Sequence, residues 1–234
     1  MIVSIHQPSY FPWLGLLDKV SKSDVYIMMD EVQLSDSAYQ HRNLFLTAEG
    51  KVKFLTIPIV RKGYLGRTYE ELEIAGDGWR AQHLAFVCNN YGKHPFAAEL
   101  MPHMERYFAA QYRLLAEAVL ASMRLSFDLF GIRTRLLRQS EMNYDRSLRR
   151  GELVIALARA AGAHCYLSGA GGRDYLDESA FGPHLALRYN DFRHPQYRQK
   201  GAREFTPGLA GVDTLFNLGI EGSRALLGGT AHGG

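Results

Sequence analysis

The chain is poor in cysteine: Cys88 and Cys165 are the only two in 234 residues, far apart and each in an apolar setting. They form no zinc-type spacing and argue against a disulfide, so they read as two small buried hydrophobes in a reducing compartment. Long apolar runs are missing as well. No stretch approaches the roughly 20 apolar residues that a membrane span needs, and the first residues show no basic segment followed by an apolar one. The expectation is therefore a cytoplasmic protein with no membrane partner. Charge of one sign is in slight excess only, 27 Lys and Arg against 24 Asp and Glu, and the basic residues are scattered rather than striped. That excess is too small to argue for nucleic acid, which is not expected as a partner. Internal repeats are absent. With 47% apolar and 22% charged residues, what remains is an ordinary globular composition on a chain long enough for a sizeable core.

Against this plain background one stretch is chemically dense. Val3-Ser4-Ile5-His6-Gln7-Pro8-Ser9-Tyr10-Phe11-Pro12-Trp13-Leu14-Gly15 places an imidazole, an amide, two prolines and three aromatics behind a short apolar run. The prolines fix φ at their own positions and bias Gln7 and Phe11 away from helix, so the segment predicts a stiffened turn that holds side chains in place. Residues 1–5 read as a buried strand, 14–22 have helical spacing, and 25–30 read as a second strand. Strand, turn, helix and strand in this order make a βαβ unit, so the sheet is expected to be mostly parallel, with its ligand crevice beyond the C-terminal strand ends. His6 and Asp30 stand at two such ends.

Further along, 44–47 and 51–60 predict a hairpin, and 61–67 a Gly-punctuated basic loop that either is a solvated turn or orders over a substrate. A short strand is expected at 70–74. From 78 to about 130 the spacing turns helical, with a break at Gly92-Lys93-His94-Pro95. Short-strand character returns at 131–138, and 151–162 is an amphipathic helix with a glycine stop. Strands follow at 164–168 and 185–192, and a short helix at 212–217. The expected architecture is one α/β domain over 1–228 with a helical insertion at about 78–130 and a flexible tail at 229–234.

Several residues are candidates for chemistry. His6 suits general acid–base work, donation to a developing anion, or nucleophilic attack, against a purely local hydrogen bond that holds the turn. Lys19 either reaches the same place or is a surface lysine. Asp30 is better sheltered than Asp18 or Asp36. Gln7, Tyr10, Trp13 and Tyr39 are candidate ligand contacts, whereas Phe11 is assigned to the core. Arg42 and Asn43 could clamp a carboxylate or phosphate. The turn Ser168-Gly169-Ala170-Gly171-Gly172-Arg173-Asp174-Tyr175 could offer backbone N–H groups to an anion, although it has neither the full GxGxxG nor the Walker spacing. His194, Tyr197 and Gln199 follow another strand end. Ser168 lacks a GxSxG setting, and Cys165 is mid-strand, which disfavours both as nucleophiles. No metal site is expected.

His6-Gln7-Pro8, Tyr10-Phe11-Pro12-Trp13, Gly15 and Lys19, followed by Asp24, Asp30, Gln33 and Arg42-Asn43, resemble the N-terminal signature of the WbqC-like protein family. The run from Tyr166 through the glycine turn to Leu176, then His194-Pro195, Tyr197, Gln199, Phe205-Thr206-Pro207, Val212-Asp213 and Leu215-Phe216-Asn217-Leu218-Gly219, match its C-terminal half. Ala210-Gly211 departs from the pattern, which usually carries Ser-Ile there. The resemblance implies an enzyme of polysaccharide (O-antigen) or specialised-metabolite biosynthesis, a transferase or ligase acting on amino sugars or amino acids. The opening is also similar to the nucleotidylyltransferase and pantothenate-synthetase type of α/β fold, which implies a Rossmann-like sheet. The second histidine of that group's motif is absent, since Leu16 follows Gly15. Together these likenesses imply an acyl or aminoacyl transferase that forms an amide on an amine acceptor. His6 would act as base or oxyanion donor, Asp30 would orient the amine, and Arg42 with the glycine turn would hold an anionic part of the donor. The donor would be an acyl-CoA or a group on a carrier protein; ATP-dependent adenylyl transfer with Mg²⁺, and non-catalytic binding of a small molecule, are the alternatives.

Overall fold

Five apolar runs lie side by side in one parallel sheet. A computed structural model of the protein describes residues 1–35 and 39–228, so Asp36 and the tail at 229–234 lie outside the described residues. The strands, in chain order, are β1 (Ile2–His6), β2 (Val25–Met28), β3 (Arg42–Leu46), β4 (Val52–Thr56), β5 (Arg135–Arg138), β6 (Cys165–Ser168) and β7 (Ala186–Tyr189). The sheet runs β5-β2-β1-β6-β7, and β3 and β4 form the expected antiparallel hairpin apart from it. Strand order grows outward from β1 in both directions. The switch between β1 and β6 is where a doubly wound, Rossmann-like sheet opens its crevice.

Side-chain alternation explains why both faces are covered. Val3, Ile5, Val25, Ile27 and Tyr166 point to one face, where they meet Leu153, Val154 and Leu157 of α5 (Arg150–Ala160). Tyr26 and Met28 point to the other, into the larger core built with α1 (Leu14–Ser21), α4 (Leu115–Leu129) and α6 (Gly211–Gly228). The helical section comprises α2 (Gly78–Tyr91), α3 (Ala97–Ala109) and α4, and it joins the hairpin and α6 in that same core.

Three local expectations need correction. Residues 70–74 form no strand. Thr68 and Glu71 close a capping box, with Thr68 N–H donating to Glu71 Oε2 at 2.7 Å, and this winds Tyr69–Glu71 into a 3-10 turn. The strand expected from 131 starts only at Arg135, because Gly131 takes φ +70 and Thr134 Oγ1 donates to the Val20 and Ser23 carbonyls. The last helix runs to Gly228, well past Asn217, and kinks at Gly219 where φ is +74. Among the described residues no helix is long and apolar enough to cross a membrane.

Candidate functional site

The turn after β1 is pinned from several directions. Asn43, buried at the start of β3, donates from Nδ2 to the carbonyls of both Tyr10 (2.9 Å) and Phe11 (2.8 Å). Phe11 N–H donates to Ser122 Oγ of α4 at 3.1 Å, and the Tyr10 hydroxyl donates to His83 Nδ1 of α2 at 2.9 Å. Phe11 avoids helix ahead of Pro12, as its position requires, but it does so in the left-handed region at φ +42. That conformation costs an aromatic residue about 1–2 kcal/mol. Its fully packed ring, in contact with Phe45, Tyr107 and Phe108, offsets the cost.

His6 closes β1 at the crevice. Its Nδ1–H donates to the Gln7 carbonyl at 2.9 Å, which leaves the Nε2 lone pair available; Nε2 has no partner among the described residues. Solvent reaches the ring, yet protein surrounds it, and this desolvation together with the Lys19 ammonium pushes its pKa down to about 4. The imidazole is therefore neutral at neutral pH. Lys19 of α1 is 3% exposed, donates to the Ile5 carbonyl at 3.0 Å, and has no carboxylate partner among the described residues. Burial lowers its pKa to about 8.

Two adjoining hollows open from this point. The smaller, about 220 Å³, is bounded by His6, Gln7, Met29, Arg150, Tyr166 and Tyr175. The larger, about 720 Å³, shares Gln7, Met29 and Arg150 and continues past Glu31, Arg67, Gln139, Tyr144, Arg146 and Arg149. Its wall carries a relay in which Gln139 Nε2 donates to the Tyr144 hydroxyl (2.7 Å), Tyr144 donates to Glu31 Oε2, and Arg146 Nε donates to Glu31 Oε1 (3.0 Å). A groove of about 920 Å³ between α1, α6 and β7 is larger still, but no candidate from the sequence lines it.

The candidates separate into groups. His6, Gln7 and Tyr175 share the smaller hollow, with Lys19 close enough to His6 to repel its proton. Gly169 and Gly171 stand at the end of β6 on the same rim, in open space, while Ser168 is buried so tightly against Gly172 that a Cβ there would come within 2.1 Å of its Oγ. Arg173 stacks on Tyr189 at 4.0 Å, and Asp174 is exposed. Asp30 is on the rim too, but both its oxygens are occupied, by Arg138 Nε (2.6 Å) and by Ser140 N–H (2.9 Å) and Oγ (2.8 Å). It ties the ends of β2 and β5 together.

The remaining candidates lie elsewhere. Tyr10 is wholly buried. Asn43 pins the turn. Arg42 stacks on Phe54 at 4.4 Å, and Tyr39 packs on the same ring. Trp13 covers Gly15 and meets Phe192, which also touches His194. Tyr197 donates to the buried Asp213 at 2.7 Å, and Gln199 exchanges two hydrogen bonds with Thr206. Among the described residues no group of His, Cys, Asp and Glu could hold a metal ion.

Sequence reasoning missed Gln139, Tyr144, Arg146, Arg149 and Arg150. A signal existed for the arginines. A helix that leads into a parallel strand must start at the C-terminal rim, so Arg149 and Arg150, just ahead of the 151–162 helical pattern, are placed at the crevice by topology alone.

Comparison with known proteins agrees with the motifs. A protein of Mycobacterium tuberculosis (strain ATCC 25618 / H37Rv), described as Uncharacterized protein Rv1507c, is 28% identical over 222 residues, 94% of each chain. No solved structure matches the chain. The WbqC-like protein family matches residues 7–225, which take in the turn after β1, the glycine turn after β6 and most of α6, and the chain belongs to that family.

Proposed function

We propose that the protein is a transferase that moves an acyl or aminoacyl group from a thioester onto an amine, with His6 Nε2 accepting the amine proton as the new amide bond forms and giving it to the thiolate that leaves as the C–S bond breaks. One observation carries this reading: a neutral imidazole with a fixed tautomer and a free Nε2, presented at the sheet's switch point beside a basic cleft. With a pKa of about 4 the free protein's His6 is a weak base. An anionic substrate in the cleft counters the Lys19 part of this shift and leaves the larger part, set by desolvation, in place. Gln7 and Tyr175, which share the hollow, position the reacting groups. Asp30, committed to Arg138 and Ser140, braces the rim and does not meet the amine.

The test is transfer from a panel of acyl and aminoacyl thioesters to amino sugars and free amino acids, comparing the native protein with His6→Asn. Asn retains an N–H for the Gln7 carbonyl and lacks Nε2. Turnover should fall by about 10²–10⁴ with little change in melting temperature. Undiminished turnover in the variant would sink the assignment. The arginines of the cleft favour a second reading, ATP-dependent adenylyl transfer, which ATP–pyrophosphate exchange would reveal.

A further inference from the structure

The cleft beside His6 is more basic than an acyl group and an amine require. Four arginines line it against a single carboxylate, Glu31. Arg146 is paired with Glu31, and Arg149 is folded back onto the Arg146 and Leu148 carbonyls. Arg67 and Arg150 have no carboxylate within ion-pair distance among the described residues. They come from separate walls, Arg67 from the loop before the 3-10 turn and Arg150 from the start of α5.

Arg150 stands out further. It borders both hollows, and it holds φ +52, a conformation that disfavours a side chain and that glycine would adopt freely. No side chain caps the first turn of α5, so its N–H groups add to the guanidinium there, although Glu152 in the same turn offsets part of the helix dipole. A second, independent feature also points to a ligand. Gln139 is 2% exposed and lines the same cleft; its Nε2 is committed to Tyr144, and its Oε1 has no donor. Tyr144 gives its own proton to Glu31, so the amide is held with the oxygen unsatisfied.

We propose that the cleft binds the diphosphate of a diphosphate ester, held by Arg67 and Arg150 beside the α5 N-terminus, with the Gln139 side chain turning its buried Oε1 toward a hydroxyl or N–H of the same molecule. A doubly charged diphosphate matches two guanidinium groups from separate elements, neither within ion-pair distance of a carboxylate among the described residues, whereas one carboxylate would satisfy only one of them. That this molecule is a substrate of the His6 reaction rests on the transferase reading. Two sources share the chemistry: a coenzyme A thioester, as donor, or a nucleoside-diphosphate amino sugar, as acceptor.

Calorimetric titration of the full chain with inorganic pyrophosphate tests the site, with malonate as the carboxylate control and Arg150→Gly and Arg67→Ala as variants. Glycine suits φ +52, so Arg150→Gly should fold at least as well as the native chain. The expected result is saturable pyrophosphate binding that exceeds malonate binding and weakens at least tenfold in each variant. No binding, equal affinity for malonate, or unchanged affinity in both variants would overturn the proposal. Parallel titrations with coenzyme A and with UDP-N-acetylglucosamine then separate donor from acceptor by which binds more tightly. Transfer from a phosphate-free acyl N-acetylcysteamine thioester, without pyrophosphate binding, would sink the diphosphate site and leave the transferase reading intact. Pyrophosphate binding without transfer from any thioester would do the reverse.

Discussion

Replacing Lys19 with methionine should make the protein more stable at pH 7. The Lys19 ammonium is 3% exposed and, among the described residues, donates one hydrogen bond, to the Ile5 carbonyl. Burial takes its pKa from 10.5 to about 8, and a gap of this size corresponds to about 3 kcal/mol against the folded state at pH 7. Between those two values the unfolded chain still binds the proton that the folded chain has released. Stability contributed by this group therefore rises with pH through that window, and the cost is complete below about pH 8. Methionine keeps the length of the side chain and removes the charge; losing the Ile5 hydrogen bond costs about 1 kcal/mol, so a net gain of about 2 kcal/mol is expected at pH 7. Urea denaturation at pH 7 and pH 10 measures it, and the gain should shrink toward zero at pH 10. In the same variant the His6 imidazole, followed by NMR, should titrate above the value of about 4 that Lys19 helps to impose. A variant less stable at pH 7, with the slope between pH 8 and 10 unchanged, would refute the view that Lys19 is an uncompensated buried charge kept for its effect on His6.

Three other perturbations probe the surroundings. Asn43→Ala leaves two buried carbonyls without their donor and should lower stability by about 2–3 kcal/mol in a denaturant titration, with loss of transfer because the turn shifts. Asp30→Asn strips the charge from the Arg138 pair and should destabilise by about 3 kcal/mol while the folded fraction keeps its turnover; loss of turnover at unchanged stability would restore an amine-orienting role to Asp30. Asp213, buried among Tyr91, Tyr197 and Asn217, has its pKa pushed up to about 6 by burial. Its contribution is fully present below the ordinary 3.8 and is lost as pH rises to about 6, so Asp213→Asn should flatten the fall in urea midpoint across that range.

The sheet was legible because its strands are short apolar runs at the ends of helical or turn patterns, and a parallel arrangement forces their C-terminal ends onto one rim. That logic alone placed His6, Gln7 and the Gly169 turn together. It did not show what each rim side chain would bind. Asp30 looked like a sheltered reagent, but its partners Arg138 and Ser140 arrive from 108 and 110 residues away. Asn43 looked like a ligand clamp for the same reason: an amide carries no local mark of whether a backbone carbonyl or a substrate will take its protons. The 70–74 segment was misread because Leu72 and Ile74 alternate with glutamates as a strand would, while the Thr68-x-x-Glu71 capping box, visible in the sequence, decides the local conformation.

The helical section gains a role from the way the turn is held. Phe11 sits in a costly conformation immediately before a proline, and nothing within the turn itself makes that favourable. What does so is remote: Ser122 on α4 accepts the Phe11 N–H, His83 on α2 accepts from Tyr10, and Tyr107 and Phe108 of α3 pack against the Phe11 ring. Every helix of the section thus contributes one restraint to the five residues that follow Gln7. His6 is fixed by the sheet on one side of this segment and α1, with Lys19, on the other. Helices α2 to α4 therefore act as a frame that sets how the end of β1 meets α1.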